Sequence, residues 1–82
     1  MITRSNHDAM AGLILRASIL RERTKCLHGD CVRMAGAQCD ASRIAGDMLN
    51  ASVEVVAELD SQMRAFHERE AGERFAGSEA DK

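Results

Sequence analysis

Apolar residues between Ala41 and Phe66 recur three and four apart: Ala41, Ile44, Ala45, Met48, Leu49, Val55, Val56, Leu59, Met63 and Phe66. That spacing places them on one face of an α-helix. Asp40, Asp47, Glu54, Ser61 and Glu68 recur every seven residues on the opposite face, where water lies. No proline interrupts the run. The pattern predicts one long amphipathic helix, from Cys31 to about Ala71, as the platform of the protein.

A shorter run precedes it. Ser5-Asn6-His7-Asp8 has a hydroxyl followed three residues later by an acid, a pattern that starts helices by satisfying unpaired backbone N–H groups. A first helix then spans residues 6–27, with Met10, Leu13, Ile14, Ala17, Leu20, Thr24 and Leu27 on its apolar side. His28-Gly29-Asp30 is the most conspicuous break. Glycine can take the left-handed conformation that ends a helix, and aspartate can cap the next. The expected fold class is therefore all-α, an antiparallel helical hairpin with a long second helix and a turn at residues 28–30. Residues 6–71 form the domain. Residues 1–5 and 72–82 are expected to be flexible ends.

A second architecture competes. Leu13, Leu20, Leu27, Met34, Ala41, Met48 and Val55 keep a seven-residue register straight across Gly29. One continuous long helix in a coiled-coil dimer satisfies that register. Side-chain size favours the hairpin. Leu13, Ile14, Leu20 and Leu27 are large, whereas Cys31, Ala35, Gly36, Ala37, Ala41, Ala45 and Gly46 are small. Folding back sets large against small, while a coiled coil would stack the small residues on themselves and leave its seam thin.

A chain of 82 residues holds at most one domain. Burying about 60% of its unfolded surface, it has little stability to spare. Tryptophan, tyrosine and proline are absent, and no alternating β-branched run signals a strand. No apolar stretch approaches the ~20 residues of a membrane span, and the expected compartment is the cytoplasm. Three cysteines cannot all pair within one chain, which fits reduced thiols.

Net charge is −2, unevenly spread. Residues 1–28 carry five bases and two acids, and residues 29–82 carry six bases and eleven acids. Arg16, Arg21, Arg23 and Lys25 form a basic cluster that could meet phosphates. Without aromatic residues to stack bases, and with an acidic chain around it, a solvated or salt-bridged helix face is the better account. A small nucleic-acid-associated regulator using this cluster is the alternative functional reading.

The candidate chemistry is sparse. Cys26, His28, Cys31 and Cys39 are potential zinc ligands within fourteen residues. Their spacing matches no standard finger or ribbon, and on a helix Cys31 and Cys39 point about 80° apart. A Cys/His metal or redox module is a further alternative, and no metal or cofactor is expected. His67-Glu68 fails to complete the H-E-x-x-H pattern. No catalytic residues are assigned, and the chain is not expected to be an enzyme.

The remaining feature is a length mismatch. A first helix ending at Leu27 covers the second only to about Ser52. Val55, Val56, Leu59, Met63 and Phe66 would then lie bare, an apolar patch larger than monomers usually expose. These five residues are the expected partner-binding site, first for a second copy and also for a heterologous protein. In size and shape such a hairpin is similar to bacterial secretion co-chaperones and to phage-encoded inhibitors of host proteins, a likeness that no motif carries. The expected function is a non-catalytic interaction module: an adaptor, co-chaperone or inhibitor that occupies a partner's surface.

Overall fold

The computed structural model describes the backbone of residues 1–80 and the side chains of residues 1–74. The chain is an antiparallel hairpin of two helices, α1 (His7–Ala35) and α2 (Asp40–Ala80). It is a rod with extents of 67 × 18 × 16 Å. The direction of packing is read from three points along it. His7 stacks on Phe66 with ring centroids 5.1 Å apart. His28 lies over Gly46, where a Cβ would sit 3.3 Å from His28 Nε2. Between them, Leu20 and Thr24 share a groove with Met48 and Val55. Residues whose numbers sum to about 74 therefore lie at one level.

The turn is not at residues 28–30. Helix α1 continues through Gly29, which is exposed and faces open space. A mid-helix glycine costs only about 1 kcal/mol against alanine, and a helix held by its neighbours absorbs that. The break comes at Gly36, whose φ of +87° favours glycine over any residue with a Cβ. Gly36 N–H donates to Val32 O at 2.9 Å, closing α1. The Ser42 hydroxyl, almost wholly buried, donates to Gly36 O at 2.8 Å and ties the turn to the first residues of α2. Asp40 stands in that first turn, where the helix dipole favours an acid.

Both ends also depart from expectation. Residues 1–5 are not a loose end. Ile2 is 1% exposed, and Arg69 donates to its carbonyl at 2.8 Å. Arg4 donates to Glu70 at 2.7 Å and to Glu73 at 3.0 Å. The Ser5 hydroxyl meets the Thr3 hydroxyl at 3.0 Å and caps nothing. Asn6 precedes α1 with its side chain turned back, accepting from Thr3 N–H at 2.6 Å and donating to Met1 O at 3.2 Å. At the other end α2 runs to Ala80, so the expected tail over residues 72–80 is helical, and 81–82 lie outside the described residues.

The core is narrow. Its buried apolar residues are Ile2, Ala45, Val56 and Phe66. Between them lie the half-buried Ile14, Leu49, Leu59 and Met63 and small and polar groups whose hydrogen bonds are satisfied locally. Thr24 donates to Leu20 O at 2.8 Å, and Ser52 to Leu49 O at 2.7 Å. Among the described residues no buried side-chain polar atom lacks a partner. That satisfaction removes the desolvation penalty, while supplying little of the area-driven stability that aliphatic residues would.

Two outcomes check this description. At one fixed protein concentration, Gly29→Ala raises the unfolding free energy by about 0.5–1 kcal/mol, and Gly36→Ala lowers it by about 1–2 kcal/mol because its φ is positive. Urea titration reads both, and a turn at Gly29 would exchange the signs. The hydrogen bond from Arg4 holds the Glu70 carboxyl below its ordinary range. A lowered folded-state value contributes stability that is present above the ordinary range, about pH 4, and is lost as pH falls through the lowered value. The stability difference between wild type and Glu70→Gln therefore shrinks on acidification below about pH 4. A difference that stays constant to low pH contradicts the Arg4–Glu70 contact.

Candidate functional site

The five residues expected to bind a partner do not form an open face. Val56 is 2% and Phe66 8% exposed, and Leu59 and Met63 are half-buried. Only Val55, at 52%, stands in solvent. The premise of an uncovered overhang fails because α1 is 29 residues long and starts its pairing from Gly36. It reaches back to His7, level with Phe66, and the segment holding Ile2 covers what lies beyond. The stripe Val56, Leu59, Met63 and Phe66 is thus the inner face of α2.

The apolar side chains left in solvent lie elsewhere. Leu13, Leu20 and Leu27 of α1, with Met48 and Val55 of α2, are each between 47% and 59% exposed. They repeat every seven residues on both helices. In an antiparallel pair, positions displaced the same way from the contact line come to one flank. The groove on that flank is lined by Ala17, Leu20, Met48, Ala51 and Val55, together with Thr24 and Ser52. Leu20, Met48 and Val55 are members of the seven-residue series that continues across Gly29 in the sequence. The series was the signal for this surface, and it belongs to the flank of a hairpin, not to the seam of an unbroken helix.

The edges of the flank are charged. Arg16 and Arg23, exposed, precede Leu20 and Leu27 by one helical turn. Glu58, exposed, follows Val55 by three residues. The opposite flank carries Ser18, Lys25 and Asp60 beside the exposed Val53, and Leu15 and Ile19 of α1 are exposed as well. The flank of Leu20 and Val55 is set apart from the rest of the rod by its apolar groove between charged margins.

The remaining candidates do not assemble. Cys26 is exposed, Cys31 and Cys39 are half-buried, and all three are free thiols. His28 is spent over Gly46. Among the described residues, no group of three or more His, Cys, Asp or Glu side chains is placed to hold a metal ion. In the basic cluster, Arg16, Arg23 and Lys25 project into solvent, while Arg21 is half-buried and lies 3.8 Å from Glu22.

A histidine pair, absent from the sequence-based expectations, sits where α1 begins. His7 Nε2 and His67 Nε2 are 3.3 Å apart, and His7 Nδ1 lies 3.2 Å from Asp8 Oδ1. A carboxylate only accepts, so the contact to Asp8 is one in which His7 Nδ1 donates. Both rings lie tilted against Phe66, with centroids 5.1 Å away for His7 and 5.7 Å for His67. Sixty residues separate the two histidines, so only the register of the hairpin brings them together.

No described helix is long and apolar enough to cross a membrane. Comparison with protein-family models, with curated proteins and with solved structures finds no match to this chain.

Proposed function

We propose that this protein is a non-catalytic interaction module that acts by occupying a partner's surface, in the manner of an adaptor, co-chaperone or inhibitor. Its binding surface is the flank of Leu13, Leu20, Leu27, Met48 and Val55. The observation that carries this reading is the half-exposure of all five large apolar side chains along one side of a rod whose inner core is thin. A contiguous apolar strip with charged margins is the usual anatomy of a protein-binding surface. The reading is non-catalytic because aliphatic side chains supply neither a nucleophile nor a proton-transfer group.

Leucine and methionine at seven-residue spacing suit helix-against-helix recognition, in which knobs from one helix enter the spaces of another. Covering one such side chain fully contributes about 1.5–3 kcal/mol. A buried carboxylate at the same point costs at least as much.

The test is recovery of bound proteins from the source cells by tagged wild type, Leu20→Asp and Val53→Asp, the last on the opposite flank. Wild type and Val53→Asp are expected to recover the same discrete set. Leu20→Asp loses it, with affinity reduced about a hundredfold, ~2.8 kcal/mol. Circular dichroism confirms that all three remain helical. Equal recovery by Leu20→Asp and wild type contradicts the reading.

A further inference from the structure

We infer that the occupant of the apolar flank is a second copy of this chain, packed flank to flank about a two-fold axis parallel to the helices, so that α1 of each copy lies over α2 of the other. The inference rests on the reading of the flank as an interface and names what fills it. Three observations carry it.

The first is area. The chain exposes 6161 Å², where a folded monomer of its 8.9 kDa exposes about 4,800 Å². Of the excess of about 1,300 Å² left in water, part belongs to the end of α2 that runs past the start of α1, and the rest to the sides of a two-helix rod. A standard interface removes about 800 Å² from each partner, so one such contact brings this chain most of the way to an ordinary exposure.

The second is a match of the flank to itself. Leu20 is level with Val55 along the rod, and Leu27 with Met48. A two-fold axis along the helices keeps every residue at its level while exchanging left for right. It sets Leu20 over the second copy's Val55, and Leu27 over the second copy's Met48. Every knob meets an apolar neighbour on the other copy, and all adjacent helices run antiparallel, as in an up-down-up-down four-helix bundle.

The third is charge, which selects among the ways two flanks could meet. Helix α1 carries five bases and three acids, and α2 carries four bases and nine acids. The axis just described lays the basic helix over the acidic one twice. The alternative two-fold axis, across the helices, lays like over like. At the margin, Arg16 and Glu58 share a level, so Arg16 faces the second copy's Glu58. Such rim pairs contribute more to orientation than to affinity.

The experiment is sedimentation equilibrium on the purified full chain and four variants, with circular dichroism as the check on folding. Wild type and Val53→Asp are expected to sediment at about twice 8.9 kDa at ~100 µM, a concentration at which a micromolar dimer is nearly complete. Leu20→Asp sediments as a helical monomer, its dimer weakened about a hundredfold. Arg16→Glu weakens the dimer severalfold, and Arg16→Glu with Glu58→Arg restores it. Wild type at 8.9 kDa up to that concentration overturns the second copy. If Leu20→Asp still strips bound proteins from wild type's set, the flank remains an interface for a different partner. A dimer unmoved by Leu20→Asp overturns the second copy as the occupant of the flank, and recovery of bound proteins by the same variant then decides whether the flank meets a different partner. A dimer lost with Leu20→Asp but not rescued by the charge exchange overturns the α1-over-α2 arrangement.

Discussion

The register of α1 against α2 is the constraint from which the other features follow. It is set at Gly36, whose positive φ ends one helix, and at Ser42, which fastens the start of the next to the Gly36 carbonyl. From that point the helices run back in step. His28 meets the one helix position, Gly46, that admits a ring so close, and His7 arrives level with Phe66. Seven residues of extra length in α1, relative to a turn at Gly29, decide whether the bulky half of α2 is covered or bare. They cover it. The arm holding Ile2 and Arg4 then completes the seal around Phe66, with Arg69, Glu70 and Glu73 as its anchors.

That register divides the apolar residues between two jobs. The contact line between the helices takes Ala17, Thr24, Ala45 and Ser52, small groups that allow close approach. It leaves Leu13, Leu20, Leu27, Met48 and Val55 to one side. A sequence selected only to hold two helices together would have the leucines inside. Their placement outside, in regular order, is the physical basis for reading the flank as a surface that meets another helix pair. It also explains why so few residues are buried in a chain with 45% hydrophobic composition.

Much of this is legible in the sequence. The three-four spacing from Ala41 to Phe66, the absence of strand signals and the lack of proline define two helices and the inner face of the second. The seven-residue series from Leu13 to Val55 was equally plain. Its meaning was not, because the same series serves a coiled-coil seam or the flank of a hairpin, and only the turn distinguishes them. The turn itself was misplaced for a local reason. His28-Gly29-Asp30 has the glycine and the capping acid of a helix break, but Thr24 and His28 hold that segment against α2, and tertiary packing overrides the propensity. Ala35-Gly36 followed by Asp40 and Ser42 carries the same signs, spread over more residues. The anchored N-terminal arm had no local signature, since Arg4 and Glu70 are sixty-six residues apart.

The register is open to direct measurement. Spin labels at Ala11 and Arg64, in a chain whose three cysteines are replaced and diluted with unlabelled copies, report it through their dipolar coupling. Paired from Gly36, the two positions lie on adjacent helices at one level, with axes about 10 Å apart. Paired from Gly29, they would be offset along the rod by about 25 Å, and on one unbroken helix by about 80 Å, at 1.5 Å per residue. A short distance dominated by the labels' own linkers is the result this account requires, and a distribution centred at 25 Å or beyond would contradict it.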